Sequence, residues 1–160
     1  MGLNLAGPGA PSAGENPGTE PSSRAGEVAR RTSRILVVDD ETHVRAMVGS
    51  TLERQGYEVQ LASSGREALE TLELNSFDLV LTDIVMQDVN GIALLEQIHA
   101  QHPNLPVVMV TAIHDISVAI DSMRRGAYDY LLKPFEREHL LNTVRRAMDH
   151  RHALEENQDR

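Results

Sequence analysis

Five polar residues stand at the carboxyl ends of apolar segments of this chain of 160 residues. The segments are 35–40 (ILVVDD), 79–83 (LVLTD), 107–112 (VVMVTA) and 130–134 (YLLKP), and the polar residues are Asp39, Asp40, Asp83, Thr111 and Lys133. If the segments are parallel strands, their carboxyl ends meet at one edge of a sheet, and these side chains meet with them. Three carboxylates in one pocket repel each other and normally require a cation. Mg2+ is suited to that role, because it binds carboxylates together with waters and a phosphate oxygen.

Phosphoryl transfer to a carboxylate is the reaction that this set of residues favours. A transferring phosphoryl group needs an in-line nucleophile and charge neutralisation around its equatorial oxygens. Asp83 is the preferred nucleophile, because it ends a central apolar segment and is followed by a loop. Lys133, the only lysine of the chain, can supply a compact positive charge, and the Thr111 hydroxyl with a backbone N–H can donate to another oxygen. Zinc is disfavoured, because the chain has no cysteine and its seven histidines lack ligand spacing.

The apolar segments that must position these residues alternate with helical patterns. Candidate strands begin near residues 35, 57, 78, 106 and 129, and each interval has room for a strand, a helix and two short loops. The first, third and fourth segments are nearly continuous in Ile, Leu and Val, whereas 57–62 (YEVQLA) alternates like a half-exposed edge strand. The pattern predicts an α/β fold, a doubly wound five-stranded parallel sheet of flavodoxin-like order 2-1-3-4-5 with helices on both faces.

Apolar residues recur at helical spacing between the predicted strands. Gly56 and Gly126 follow the first and fourth helical patterns and are expected to end those helices. The methionines Met47, Met123 and Met148 are expected to pack in the core rather than to bind a ligand.

Composition divides the chain into three parts. Residues 1–33 are rich in Pro, Gly, Ala and Ser and poor in large apolar side chains, so we expect a disordered tail. Residues 34–150 contain the alternating strand and helix pattern and form the predicted domain. Residues 151–160 are predicted as a C-terminal helical extension or linker, because the last helical pattern could run from about Glu136 past Leu154. This polar segment could be a solvated helix end, or a connector to an output domain or a second protomer.

The formal net charge of -9 lies on residues 34–160, because the tail contains three Arg and three Glu. An acidic domain argues against direct nucleic-acid binding. No apolar run approaches the roughly 20 residues that a membrane helix needs, and the N-terminus lacks an apolar signal core. We therefore expect a cytoplasmic protein that makes no membrane contact.

Four motifs occur in the order and at the spacing of one protein family. They are VVDDE at 37–41, LTDIVM at 81–86 with Gly91 eight residues after Asp83, VTA at 110–112, and GAYDYLLKPF at 126–135. Each motif is weak alone, but together they are specific. Over roughly residues 34–150 the chain resembles the receiver domain of bacterial two-component response regulators.

The resemblance implies a phosphorylation switch and gives roles to the acidic residues. Asp83 would accept a phosphoryl group from a sensor histidine kinase or a phosphotransfer protein. The domain would assist its own modification but would not turn over an external substrate as an enzyme does. Mg2+ would be bound by Asp40, Asp83 and the Val85 backbone carbonyl, with Asp39 acting largely through water.

The resemblance also implies a phosphoryl-binding set and a conformational response. Thr111 and the Ala112 N–H would hold the phosphoryl group, and Lys133 would pair with it. Thr111 would move toward that group and Tyr130 would turn inward, although a plain packing role for Tyr130 stays open. The face made by helix 4, strand 5 and helix 5 would then act on an output domain or partner that the sequence does not identify, and it allows a homodimer. The peptide bond before Pro134 would be cis.

Two other functions use similar residues. Phosphatases of the haloacid-dehalogenase type need a second Asp two residues after the nucleophile, but that position is Val85 here. A phosphorylation-independent interaction module would not need the intact acidic set. The chain departs from the receiver pattern at Gln87, where the family usually has proline, so the rigidity of the loop after Asp83 is in question.

Overall fold

Five parallel strands form the sheet in the computed structural model, which describes residues 32–159 and side chains as far as residue 156. The strands are β1 (Arg34–Val38), β2 (Glu58–Ala62), β3 (Leu79–Asp83), β4 (Val107–Ala112) and β5 (Asp129–Lys133). Their order, β2-β1-β3-β4-β5, confirms the predicted topology and the edge position of β2. All but the last two residues of the predicted disordered tail, 1–33, lie outside the described residues.

Helices connect the strands and cover both faces of the sheet. Across residues 32–159 they are α1 (Thr42–Arg54), α2 (Gly65–Leu74), α3 (Gly91–Gln101), α4 (Ile116–Arg124) and α5 (Arg137–Asp159), and a 3-10 turn (Ile113–Asp115) precedes α4. Both predicted helix stops are confirmed, because Gly56 and Gly126 have φ angles of 96° and 111° that L-residues rarely adopt. In this part of the chain, no helix has both the length and the apolar composition needed to cross a bilayer.

The alternation of side chains along each strand creates one core on each face of the sheet. In β1, Ile35 and Val37 pack against α1 and α5, while Leu36 and Val38 pack against the side that α2, α3 and α4 cover. All four residues are at most 3% exposed. Burial on both faces fixes the strands in place, and their carboxyl ends are therefore held at defined positions.

The prediction that three methionines lie in the core was correct only for Met148, which is 4% exposed. Met47 is 50% exposed and Met123 is 38% exposed, so the prediction was wrong for these two. The buried residues of α4 are the small Ala119 and Ser122, which let the helix pack close to the sheet. The larger apolar side chains of α4 therefore lie at the edge of this contact.

The last helix continues past the predicted domain boundary and contacts the domain there. Arg151 donates from Nη1 to the Asn104 carbonyl at 3.0 Å, and its Nε lies 3.8 Å from an Asp78 carboxylate oxygen. Asp78 also accepts the Arg34 backbone N–H at 2.8 Å. The first turn beyond residue 150 is therefore docked on the amino-terminal end of the sheet.

The loop between β3 and α3 closes tightly at Gly91. The Gly91 N–H donates to the Ile84 carbonyl at 2.6 Å. A Cβ at position 91 would lie 2.5 Å from the Asp83 carbonyl oxygen and 2.6 Å from Ile84 Cα. Both neighbours are backbone atoms that cannot rotate away, so only glycine lets α3 begin this close to the end of β3.

We predict that Gly91→Ala lowers the melting temperature, because the added methyl group overlaps the backbone that carries Asp83. Overpacking of this kind costs about 1–3 kcal/mol. The matched control is Gly49→Ala, whose Cβ would meet only side-chain atoms, the end of Leu61 at 3.0 Å and Val59 Cγ1 at 3.5 Å. In a helix, alanine is favoured over glycine by about 1 kcal/mol. Thermal unfolding of both variants checks this, and an equal loss in the two would contradict it.

Candidate functional site

Three carboxylates meet at the carboxyl edge of the sheet. Asp39 and Asp40 follow β1, and Asp83 is the last residue of the neighbouring strand β3. One oxygen from each carboxylate lies within 4.8 Å of the other two. Asp39 is buried, Asp40 is exposed and Asp83 is half-buried, so the cluster opens to solvent on the side of Asp40. The structure therefore brings together the acidic residues that the sequence singled out.

Lys133 is the last residue of β5, and its side chain extends into the cluster. Its Nζ lies 3.3 Å from Asp39 Oδ2 and 3.4 Å from Asp83 Oδ2. One ammonium does not neutralise three ionised carboxylates, so the cluster keeps an excess of negative charge. Oxygen donors with an excess of negative charge and one solvent-facing side are the chemistry that Mg2+ requires, so the residues present fit the ion.

The two groups in this ion pair have shifted proton affinities. Burial raises the pKa of the Asp83 carboxyl above its usual value, the Lys133 ammonium offsets part of that rise, and the Asp39 carboxylate adds to it. Burial alone would lower the pKa of Lys133, but attraction to Asp83 and Asp39 outweighs it and the pKa is raised. Lys133 therefore stays charged at neutral pH, whereas ionised Asp83 is held against a desolvation cost.

The backbone after Asp83 folds back onto its carboxylate. The Val85 N–H donates to Asp83 Oδ1 at 3.3 Å. The Val85 side chain is 61% exposed, and Ile113, two residues after Thr111, is 66% exposed. Both apolar side chains therefore project into solvent from segments that follow the site strands.

The remaining predicted site residues lie on β4 and β5. Thr111 is buried, and its hydroxyl donates to the Ala112 carbonyl at 3.4 Å. In the sheet register Ala112 pairs with Lys133, which places this end of β4 beside the lysine. Tyr130 is half-buried and packs against the core on the α2, α3 and α4 side. The Lys133–Pro134 peptide bond is cis.

Arg45 is a neighbour of the site that the sequence reasoning missed. Its Nη1 donates to the Asp39 backbone carbonyl at 2.6 Å, while Asp39 Oδ1 accepts the Glu41 N–H at 2.8 Å. These bonds fix the turn that joins β1 to α1, and with it the orientation of Asp39. The partner of Arg45 is a backbone atom, so no pattern of residue types in the sequence predicts the contact.

The fold and the site define an α/β domain with an acidic cluster that could hold a divalent cation at the carboxyl edge of its sheet. Residues 35–145 match the model of the response regulator receiver domain, and the chain belongs to that family. The resemblance drawn from the four motifs is thus confirmed. Accepting a phosphoryl group in two-component signalling is the function of this family.

Relatives of known role are longer than this chain. The transcriptional regulatory protein ZraR of Escherichia coli (strain K12) is 40% identical over 121 residues, which are 76% of this chain and 27% of ZraR. The DNA-binding transcriptional regulator NtrC of Bradyrhizobium sp. (strain RP501 Parasponia) is 41% identical over 114 residues, 71% of this chain and 24% of NtrC. The chain therefore spans about a quarter of the length of these curated relatives.

Solved receiver domains have the same fold. The receiver domain of NtrX from Brucella abortus has a TM-score of 0.71 at 40% identity, covering 72% of this chain and 98% of that one. A response regulator receiver domain protein from Clostridium thermocellum has a TM-score of 0.72 at 35% identity, covering 76% and 98%. The likeness spans whole receiver domains, which confirms the fold class.

We predict that Asp83→Asn raises the melting temperature at neutral pH in EDTA. Because the pKa of Asp83 is raised on folding, its ionised form is less stable in the folded than in the unfolded chain. The gain should disappear as the pH falls through the acidic range, where wild-type Asp83 becomes protonated. Glu73→Gln, at an exposed position on α2, is the control and should change the melting temperature little. A loss of stability in Asp83→Asn at every pH would contradict a raised pKa of Asp83 in the folded protein.

Proposed function

We propose that Asp83 is the phosphoacceptor of this receiver domain and that a sensor histidine kinase or a phosphotransfer protein is the donor. The observation that carries this proposal is the position of its carboxylate. Asp83 ends a central strand, its Oδ2 lies 3.4 Å from Lys133 Nζ, and its Oδ1 accepts the Val85 N–H. Two donors, the Lys133 ammonium and the Val85 N–H, thus orient the Asp83 carboxylate.

The chemistry follows from this arrangement. An Asp83 carboxylate oxygen attacks the phosphorus of a phosphohistidine, the P–O bond forms, the P–N bond breaks, and the imidazole leaves and takes up a proton. Lys133 neutralises negative charge on the transferring group. Asp40, Asp83 and the Val85 carbonyl would hold Mg2+, with Asp39 acting through water. When bound, Mg2+ supplies positive charge for the anionic phosphoryl oxygens and for the crowded carboxylates.

The response to phosphorylation is proposed to run through β4 and β5. The Thr111 hydroxyl would exchange its 3.4 Å contact with the Ala112 carbonyl for a bond to the phosphoryl group, which the Ala112 N–H would also hold. Tyr130 would turn inward as Thr111 moves, which alters the α4, β5 and α5 face. Ile116, Ile120 and Met123 leave apolar surface exposed on α4, and this surface supports contact with an output domain, a partner or a second copy.

The same proposal gives a role to each of the three parts of the chain. Residues 34–150 form the receiver, 1–33 a tail, and 151–160 a helical extension that leads to an output domain or partner, in the cytoplasm. One relative is named a DNA-binding regulator, and this chain spans a quarter of it. We propose that the receiver itself does not bind DNA, because the net charge of -9 lies on residues 34–160.

Intact-mass measurement with a small phosphodonor tests the proposal. Incubation with acetyl phosphate and Mg2+ should add one phosphoryl group to the wild type. The adduct should be absent without Mg2+ and absent in Asp83→Asn. If the wild type gains no adduct and also fails to bind beryllofluoride, the domain is a phosphorylation-independent module. An unchanged adduct in Asp83→Asn would place the phosphoryl group elsewhere.

We predict slow self-dephosphorylation. Hydrolysis needs a water in line with the aspartyl phosphate, and Val85 and Ile113 offer no polar group to orient it. The double variant Val85→Asn, Ile113→Glu should shorten the half-life of the phosphorylated form by about tenfold or more, since a positioned acid or base typically contributes ~10²–10⁴-fold. Decay is followed by intact mass, with Val85→Ile, Ile113→Leu as the apolar control. A half-life equal to that of the control would contradict the prediction.

A further inference from the structure

The segment 84–90 after β3, here called the acceptor loop, is attached to a second element of the fold. Asp88 Oδ1 accepts the Gly65 N–H at 3.1 Å and its Oδ2 accepts the Arg66 N–H at 2.9 Å. Both donors belong to the first turn of α2, where backbone N–H groups have no partner within the helix. The carboxylate thus spans two backbone donors that are more than 20 positions away in the chain.

Packing beside these bonds holds the loop against the same turn. A Cβ at Gly65 would lie 2.8 Å from Val89 Cβ, so the glycine lets the loop approach the helix closely. Val89 in turn packs against the buried core that α2 and α3 share. The pKa of Asp88 is lowered, mainly by the hydrogen bond from the Arg66 N–H and further by the one from the Gly65 N–H. The charged form, which makes both contacts, is therefore favoured.

The helix does not depend on Asp88 for its own cap. Ser64 is the N-cap of α2, and its hydroxyl oxygen accepts the Glu67 N–H at 3.1 Å. Glu67 Oε1 in turn accepts the Ser63 N–H at 2.7 Å. Because a local cap is present, the bonds from Asp88 join two separate segments in addition to satisfying a helix end.

The acceptor loop carries the backbone group that the metal needs. Val85, three residues before Asp88, donates its N–H to Asp83 and presents the carbonyl proposed as a ligand for Mg2+. Gly91 bonds to Ile84 and fixes the base of the loop. Between these points stands Gln87, whose φ is not restricted as that of a proline would be, so the loop needs a tertiary constraint.

We propose that Asp88 is a positioning residue for the phosphorylation site. By tying the acceptor loop to α2, it holds the Val85 carbonyl in the orientation that binds Mg2+, and so supports phosphorylation of Asp83 without touching the reacting atoms. This inference rests on the proposed function. It gives the loop a constraint that replaces the missing proline.

Three variants test this inference, with Mg2+ affinity measured by calorimetry on the unphosphorylated protein. Asp88→Ala should raise the Kd for Mg2+ by about tenfold, the lower end of the range for groups that orient metal ligands. Asp88→Asn, which keeps one acceptor oxygen, should fall between Asp88→Ala and the wild type. Ser64→Ala removes a cap from the same helix without touching the loop, so it should leave the Kd within about twofold of the wild type while lowering the melting temperature.

Amide hydrogen exchange supplies a readout independent of the metal. In Asp88→Ala, the amide of Val85 should exchange faster than in the wild type, and in Ser64→Ala it should not. The phosphorylation rate of Asp88→Ala should be low at limiting Mg2+ and recover at saturating Mg2+. An unchanged Kd in Asp88→Ala, or an equal loss in Ser64→Ala, would overturn the inference and leave the proposed function intact. A wild type that binds no Mg2+ and gains no adduct would instead overturn the proposed function.

Discussion

Charge crowding at one edge of the sheet is the constraint on which the rest of this structure depends. Three carboxylates lie within 4.8 Å of one another, with the Lys133 ammonium against Asp39 and Asp83. Ionised Asp83 is unfavourable here, because burial raises its pKa and the Asp39 carboxylate adds to that rise, although the Lys133 ammonium offsets part of it. The cluster persists because strands buried on both faces hold the carboxylates in place. The excess of negative charge also makes the cluster attractive to a divalent cation.

Much of the site could be predicted because its residues stand at the ends of buried strands. A strand buried on both faces leaves a continuous apolar run in the sequence, and the last residue of that run marks the sheet edge. Asp39, Asp83 and Lys133 could therefore be placed together without coordinates. The alternation in 57–62 likewise identified the edge strand, and two glycines with positive φ marked helix ends.

Other features depend on contacts that residue types do not announce. Arg45, on α1, and Asp88, in a loop, bond to backbone atoms of other segments, and many exposed polar residues could have made such bonds. Met47 and Met123 were misplaced because an apolar stripe predicts which face of a helix is buried, but not how wide the contact is. On α4 the contact is narrow, since Ala119 and Ser122 fill it.

Chemical location of the phosphoryl group decides whether Asp83 is the phosphoacceptor. The protein is phosphorylated with acetyl phosphate in Mg2+, reduced with borohydride, which converts an aspartyl phosphate to homoserine, and digested for peptide mass spectrometry. We predict homoserine at position 83 and unmodified aspartate at positions 39 and 40. Homoserine at Asp39 or Asp40 with position 83 unchanged, or at no aspartate in the cluster, would contradict it.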